Sequence, residues 1–115
     1  MQPRSLVIEE VPGPQNGPHI LRFSGPLILT TVTEFQTKVR ANPSNNLIFD
    51  FSDVPYVDSA GIGALVGIYL RHQRDEHGLS LVGVNDRVRT ALEIAHIEQF
   101  FRFFDNLGEA QAKRG

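Results

Sequence analysis

The sequence predicts a single α/β domain with a mixed sheet of four to five strands, flanked by about four helices. Two short apolar runs, 6–8 and 20–24, are separated by a segment dense in Pro and Gly, which is typical of a hairpin with a loose connection. Strand-length runs then alternate with segments of helical periodicity. The run 47–51 is nearly all apolar, as expected for a strand buried on both faces. Such alternation favours parallel strands joined by right-handed crossovers.

The first helix is predicted to begin at Thr31, because Glu34 follows three residues later, as in a capping box. Three apolar residues would then share its inner face: Val32, Phe35 and Val39. The segment 42–45 contains a proline, which disfavours helical geometry in the residue before it. The helix is therefore expected to end there.

The longest helix is predicted to run from Ser59 to about Glu76, with a Gly C-cap at Gly78. Its apolar stripe consists of Ile62, Leu65, Val66 and Tyr69. Gly63 and Gly67 lie four residues apart, and we expect them to allow a close approach to the sheet. This helix follows directly on the buried strand, so its first turn lies where that strand ends.

The remaining elements are a strand over 79–84, a helix from 87 to about 96, a short strand over 100–104 and a brief last helix. Asn85 and Asp86 are expected to cap the helix that starts at 87. Its inward side chains would be Val88, Leu92 and either Ile94 or Ala95. Asn106 and Glu109 are spaced to cap the last helix. Asp50, inside the apolar strand, is expected to accept backbone N–H bonds. The periodicity predicts one core that contains Leu21, Phe23, Leu47, Phe49, Ile62, Leu65, Val66, Leu81 and Val82.

The composition narrows the possible functions. The 115 residues suit one domain, expected over 5–112, with 1–4 and 113–115 frayed. The absence of Cys excludes disulfides, thiolate metal sites and Cys nucleophiles, and no metal or cofactor is expected. No apolar run is long enough to span a bilayer, and no signal peptide follows Arg4, so we expect a cytoplasmic protein without membrane contact. The net charge of −2 gives little support to nucleic-acid binding.

Ser59 occupies a chemically distinctive place at the start of the long helix. The first N–H groups of a helix lack intrahelical partners and form the positive end of its dipole. A phosphate group on a side chain there would be stabilised. The alternative is that Asp58 and Ser59 only cap the helix, as such residues commonly do, and the two roles are compatible.

The run Asp58-Ser59-Ala60-Gly61-Ile62-Gly63 resembles the signature of the STAS family, the sulphate-transporter and anti-sigma-factor-antagonist domains. The usual form in that family is Asp-Ser-(Ser/Thr/Ala)-Gly-(Leu/Ile)-Gly. Gly25 after a short apolar strand and Val82-Gly83-Val84 after the long helix fall in the family's order, so the resemblance covers roughly 5–112. It implies a STAS-like fold.

The resemblance also implies a switch. In the antagonist branch the Ser after the Asp is phosphorylated, and that position is Ser59 here. The unphosphorylated protein would bind an anti-sigma factor serine kinase and thereby release the sigma factor, and a phosphatase would reset it. A homodimer is a further option. The residues expected to bind the partner are those of the signature and of the loop near it: Asp58, Ser59, Ala60, Gly61, Ile62, Gly63, Leu27 and Ile28.

One departure from the family leaves an alternative open. The family commonly has Gly-Glu-Leu-Asp after the second strand, whereas this chain has Gly25-Pro26-Leu27-Ile28, without either acid. If those carboxylates help to present the Ser, phosphorylation would be slow or absent. The second hypothesis is therefore a scaffold or assembly module that never carries phosphate, such as a stressosome-like or lipid-transport accessory component. A small-ligand domain that binds at the mouth of the sheet is a third.

Enzyme hypotheses fit the sequence less well. A hydrolase nucleophile elbow needs Gly two residues before the Ser, and Val57 holds that position. None of the four His residues lies in a motif that indicates a base, and the spacing of Gly61, Gly63 and Gly67 does not match a dinucleotide fingerprint. We therefore expect a protein that is not an enzyme, in which Ser59 is a substrate.

Overall fold

The computed structural model describes residues 5–11, 19–41, 46–74 and 78–112. Its strands are β1 (Val7–Val11), β2 (His19–Ser24), β3 (Asn46–Asp53), β4 (Gly78–Val82) and β5 (Arg102–Phe104). Its helices are α1 (Val32–Arg40), α2 (Ser59–Arg74), α3 (Asp86–Ile94) and α4 (Leu107–Ala112), with a 3-10 turn at Glu98–Phe100. Both termini, 1–4 and 113–115, lie outside the described residues, as do the connections predicted at 12–18 and 42–45.

The five strands form one mixed sheet in sequence order, β1-β2-β3-β4-β5. β1 pairs antiparallel with β2, and each later neighbour pair is parallel. Helices α1, α2 and α3 each connect two parallel strands. The prediction of an α/β domain with a mixed sheet and about four helices is therefore confirmed.

The sheet separates two cores. The larger one lies under α1, α2 and α3, and at its centre Phe23 packs against Phe35, Phe49 and Phe51 with ring centroids 5.1, 5.2 and 5.5 Å away. The smaller core lies on the opposite face under α4 and contains Ile20, Ile48, Val82 and Ala110. The two sets differ because neighbouring strand residues point to opposite faces of a sheet.

The prediction of one continuous core was therefore wrong for Val82, which belongs to the smaller cluster. Six of the other predicted members are buried in the larger one: Leu21, Phe23, Leu47, Phe49, Leu65 and Leu81. Ile62 and Val66 are only half-buried, because they lie at the edge of the apolar stripe of α2 rather than at its centre.

The start of α1 differs from the predicted capping box. Thr31 precedes the helix but makes no side-chain cap. Its buried hydroxyl donates to the carbonyl oxygen of Pro26 at 2.8 Å and accepts the N–H of Ile28 at 3.0 Å. Thr31 therefore closes the loop after β2 on itself, while Phe35 and Val39 face the core as predicted.

Two expectations for glycines in and after α2 were also wrong. Gly63 and Gly67 are exposed, and a Cβ at either position would meet no atom within 4 Å, so they do not bring the helix close to the sheet. Gly78 is the first residue of β4 and pairs with Asn46, so it is not a helix cap. The segment 75–77, where the helix was expected to end, lies outside the described residues.

The later elements agree more closely with the sequence. Asn85 caps α3 by accepting the N–H of Val88 at 2.8 Å, and Asn106 accepts the N–H of Glu109 at 2.9 Å. β4 ends at Val82, before Gly83 turns the chain with a φ of 69°. Of the two candidates at the end of α3, Ile94 is 74% exposed and Ala95 packs on the core.

Asp50 lies inside β3, buried at 4% exposure. It accepts the N–H of Ser52 at 2.9 Å, which confirms the predicted backbone bond, and it also accepts from the Ser52 hydroxyl and from the Arg22 guanidinium. Within the described residues, no helix has the length and hydropathy needed to cross a bilayer.

We predict that Leu65→Ala lowers the free energy of unfolding by about 2–5 kcal/mol, because Leu65 is fully buried between α2 and the sheet. Gly67→Ala is the control from the opposite side of the same helix, and it should raise stability by about 0.5–1 kcal/mol. Urea denaturation measures both. Equal effects of the two changes would contradict the orientation of α2.

Candidate functional site

Asp58 is the residue around which the candidate site is built. It directly precedes α2, and its Oδ1 accepts the backbone N–H of Gly61 at 3.0 Å. This is the geometry of a helix N-cap, in which a side-chain oxygen takes one of the unpaired N–H groups of the first turn. Asp58 therefore caps α2, as the sequence predicted.

The second oxygen of the same carboxylate makes a contact that no local pattern indicated. Asp58 Oδ2 accepts the N–H of Leu29 at 2.9 Å. The backbones are also joined, because the N–H of Asp58 donates to Leu27 O and the N–H of Leu27 donates to Tyr56 O, each at 3.2 Å. One carboxylate thus ties the loop after β2 to the first turn of α2.

The pKa of Asp58 reflects this arrangement. Partial burial raises the pKa of Asp58. The hydrogen bonds from the backbone N–H groups of Gly61 and Leu29 lower it by a larger amount, so the pKa lies below its ordinary value of 3.8. The carboxylate is therefore ionised at neutral pH. It places a fixed negative charge beside Ser59.

Gly61 is required by the close contact between the loop and the helix. A Cβ at this position would overlap the carbonyl oxygen of Leu27 and lie 3.0 Å from Leu27 Cγ. The backbone that approaches Gly61 so closely is that of Leu27. Gly61 itself is buried.

Ser59 is the first residue of α2 and is exposed. Gly63 lies one turn further on the same exposed side, while Ala60 and Ile62 are half-buried. Ser80, by contrast, lies fully buried inside β4. Ser59 therefore combines access from solvent with a place at the positive end of a long helix.

The loop after β2 differs in detail from the predicted partner surface. The side chain of Leu27 belongs to the core at 1% exposure, so it is not a surface group, and Ile28 is half-buried. Leu29 is 72% exposed beside Asp58. The exposure of Leu29 could not be predicted from the sequence, because nothing local distinguishes Leu29 from Leu27 in the same apolar run.

The start of α3 supports the site from another direction. The side-chain amide of Asn85 donates to Val54 O at 3.3 Å and to Pro55 O at 3.2 Å, while its oxygen caps α3. The guanidinium of Arg87 lies 4.6 Å from the centre of the Tyr56 ring. The turn that leads into Ser59 is therefore held by α3 as well as by the loop after β2.

The chemistry available at this site is that of a hydroxyl at a helix N-terminus beside a carboxylate. Among the residues that the structure describes, no group of His, Cys, Asp or Glu side chains is suited to hold a metal ion. The arrangement can accommodate an added phosphoryl group, whose oxygens would face the N–H groups of the first turn.

Comparison with known proteins agrees with this fold and this site. A family model, described as the STAS domain, matches residues 6–110. The chain belongs to the STAS family. The match includes β1 to β5 and the whole of the Asp58 site, so the resemblance noted in the signature is confirmed over nearly the entire chain.

Named relatives of this STAS domain include the anti-sigma-B factor antagonist of Staphylococcus aureus. It is 27% identical over 81 residues, which cover 68% of this chain and 75% of the relative. Among solved structures, an anti-sigma factor antagonist from Mycobacterium paratuberculosis superposes with a TM-score of 0.79 at 19% identity, over 93% of this chain and 92% of that one.

A third relative, the Bacillus cell fate determinant SpoIIAA in its phosphorylated form, superposes with a TM-score of 0.67 at 16% identity, over 91% of this chain and 95% of that one. At such low identities the two structural likenesses show a shared fold. They do not assign a residue's role.

We predict that Gly61→Ala destabilises the protein by about 1–3 kcal/mol, because the new methyl group would overlap the Leu27 carbonyl. Gly63→Ala, two residues along the same helix, meets nothing and should be neutral or stabilising. Thermal denaturation of the two variants measures the difference. Two equally stable variants would show that the loop does not contact α2 as described.

The lowered pKa of Asp58 predicts a pH dependence. A carboxylate whose pKa is lower in the folded protein contributes stability above its unfolded pKa, and that contribution is lost as the pH falls through the folded pKa. Asn can still cap the helix but does not titrate. The free energy of unfolding should therefore differ most between wild type and Asp58→Asn near neutral pH, and the difference should shrink below about pH 4. A difference independent of pH would contradict the two-sided bonding of Asp58.

Proposed function

We propose that this STAS domain is a phosphorylation-controlled binding module of the anti-sigma factor antagonist type. The unphosphorylated form binds an anti-sigma factor serine kinase, so that the sigma factor is released and transcription by its polymerase resumes. Phosphorylation of Ser59 ends the complex, and a phosphatase restores the binding form. The observation that carries the proposal is the exposed Ser59 hydroxyl at the first position of α2, next to the ionised Asp58.

The relatives support the class of function. Anti-sigma factor antagonists are found among the sequence relatives and among the structural neighbours. One of the SpoIIAA structures shows that protein in its phosphorylated form. For this chain, the function that those names describe is a proposal. It agrees with the position of Ser59 in the Asp-Ser-Ala-Gly-Ile-Gly signature.

The physical effect of a phosphate at Ser59 is local. The group would bring about −1.5 to −2 charges at neutral pH. The helix N-terminus would stabilise it within the free protein. An interface packed over Ser59 would have to bury that charge beside the Asp58 carboxylate, where like charges repel each other. The fold would therefore persist while the complex is lost.

The proposed partner surface surrounds Ser59. Its exposed members are Ser59, Gly63 and Leu29, and the half-buried Ile28, Ala60 and Ile62 border them. Leu29 offers a large apolar side chain, of the kind that supplies binding energy when a partner covers it. Asp58, Gly61 and Leu27 act from beneath by holding the loop and the helix together.

The module is proposed to be a substrate and not an enzyme. The kinase would transfer the γ-phosphoryl group of ATP to the Ser59 oxygen, with release of ADP and of the hydroxyl proton. The chain itself would supply no cofactor and no metal. We propose that it acts in the cytoplasm, without direct contact with nucleic acid or membrane, and that it can form a homodimer.

A second candidate function rests on the loop after β2. The acids that commonly follow Gly25 in the family are replaced by Pro26, which is buried, and by Ile28, which is half-buried. If those acids help a kinase to recognise the Ser, this chain would bind a partner without being modified. It would then be a scaffold or assembly module that does not cycle.

We predict that incubation with the anti-sigma factor kinase and ATP adds a single phosphoryl group to wild type, located at Ser59 by peptide mass spectrometry. Ser59→Ala should remain unmodified and bind the kinase at least as tightly, with a loss of at most about 0.5–2 kcal/mol in stability. Ser59→Asp should bind more weakly, because it adds a second carboxylate beside Asp58.

Ser52→Ala is the matched control, because Ser52 lies in β3, away from any helix start, and should leave phosphorylation unchanged. Equal modification of wild type and Ser59→Ala would show that the phosphorylated residue is another one. A stable kinase complex with no phosphate on wild type would favour the scaffold function.

A further inference from the structure

A small groove between α1 and α2 has no role in the proposed switch. It encloses about 90 Å³, and its floor is formed by Ala64, Gly67 and Ile68 of α2. Arg40 from the last turn of α1 and Arg71 from α2 stand at its walls, and both are exposed. The groove is open because Gly67 has no side chain to fill it.

The charge of this groove is opposite to that of the whole protein. Among the described residues that line it are two arginines and no acid, whereas the chain carries a net charge of −2. The sixteen residues of α2 include no Asp or Glu at all. Within the described part of the chain, neither Arg40 nor Arg71 forms an ion pair with a carboxylate.

The groove is small, and its arginines suit a compact acidic group such as the carboxylate of an Asp or Glu side chain. A guanidinium presents a planar fork of donors that matches a carboxylate or a phosphate, and on an unmodified protein partner the matching side chains are Asp and Glu. The side-chain amide of Gln36, which also lines the groove, adds a further donor.

The groove lies further along the helix that begins with Ser59. From Ser59 to Arg71 the axis of α2 advances by about 18 Å, at about 1.5 Å per residue. A single partner that covers Ser59 can reach this far, since a typical protein interface buries about 800 Å² on each side.

We propose that the groove between α1 and α2 binds an acidic side chain of the protein partner that covers Ser59, held between Arg40 and Arg71. The inference deepens the proposed function and rests on it for the identity of the partner. It assigns to Arg40 and Arg71 a part in selecting the partner that is independent of the phosphate. The resulting attraction between opposite charges would speed association and weaken with salt.

The first test uses N-acetylated, C-amidated hexaglutamate as a probe in ¹⁵N NMR titrations of the full chain. Wild type should show shifts centred on Gln36, Gly67 and Arg71 that disappear at high salt. Arg40→Glu combined with Arg71→Glu should bind the peptide at least tenfold more weakly. Arg102→Glu, a single charge reversal on the exposed edge strand β5, should change affinity less than twofold.

Gly67→Gln is a second variant that keeps both arginines. Because a Cβ at Gly67 meets nothing, the change should leave the fold intact while its side chain occupies the groove, and it should also lower the peptide affinity. Shifts spread over the whole surface, or equal affinities for wild type and the double variant, would overturn the inference. Shifts at the groove with inorganic phosphate but not with the peptide would also overturn it.

The second test measures the affinity of the same variants for the kinase that modifies Ser59. The double variant should lose at least tenfold in affinity, whereas Arg102→Glu should not. Unchanged kinase affinity in the double variant would overturn the docking role while leaving the switch at Ser59 intact. If wild type neither binds the kinase nor accepts phosphate, the proposed function fails. The peptide titration alone then shows whether the groove binds acidic side chains.

Discussion

The carboxylate of Asp58 is the interaction on which the rest of the site depends. One oxygen caps α2 through Gly61, and the other holds the loop after β2 through Leu29. Both elements are therefore joined by a single ionised group, whose low pKa keeps it charged over the physiological range. The absence of a side chain at Gly61 permits this contact, because the loop carbonyl of Leu27 occupies the space where a Cβ would lie.

This constraint separates the support of the site from its surface. Gly61 and Leu27 are buried and Asp58 is half-buried at their contact, whereas Ser59 and Leu29 are exposed to solvent. In the proposed switch, a change at Ser59 would consequently alter binding without loosening the fold. Asn85 adds support from α3 by holding the carbonyls at the entry to the helix. Under the proposed function, this arrangement would let a small chemical change at Ser59 have a large effect on association.

The sequence predicted the elements that depend on local periodicity and missed contacts that depend on tertiary structure. The strands, the cap at Asn85 and the position of Ser59 follow from nearby residues. Gly78 was expected to end a helix, but pairing with β3 makes it part of β4. Thr31 was expected to cap α1, but its hydroxyl bonds back into the preceding loop. The backbone N–H of Leu29 bonds to the second oxygen of Asp58, which lies 29 residues away in the chain, and no local pattern indicates this contact.

The most direct test of this account is the native-state hydrogen exchange of the Leu29 and Gly61 amides in wild type and in Asp58→Ala. Both amides should be protected in wild type, and both should lose protection together when the carboxylate is removed, while amides inside β3 stay protected. Leu29 exchanging at the rate of an open chain in wild type would contradict the central role of Asp58. The same conclusion would follow if its protection survived the loss of the carboxylate.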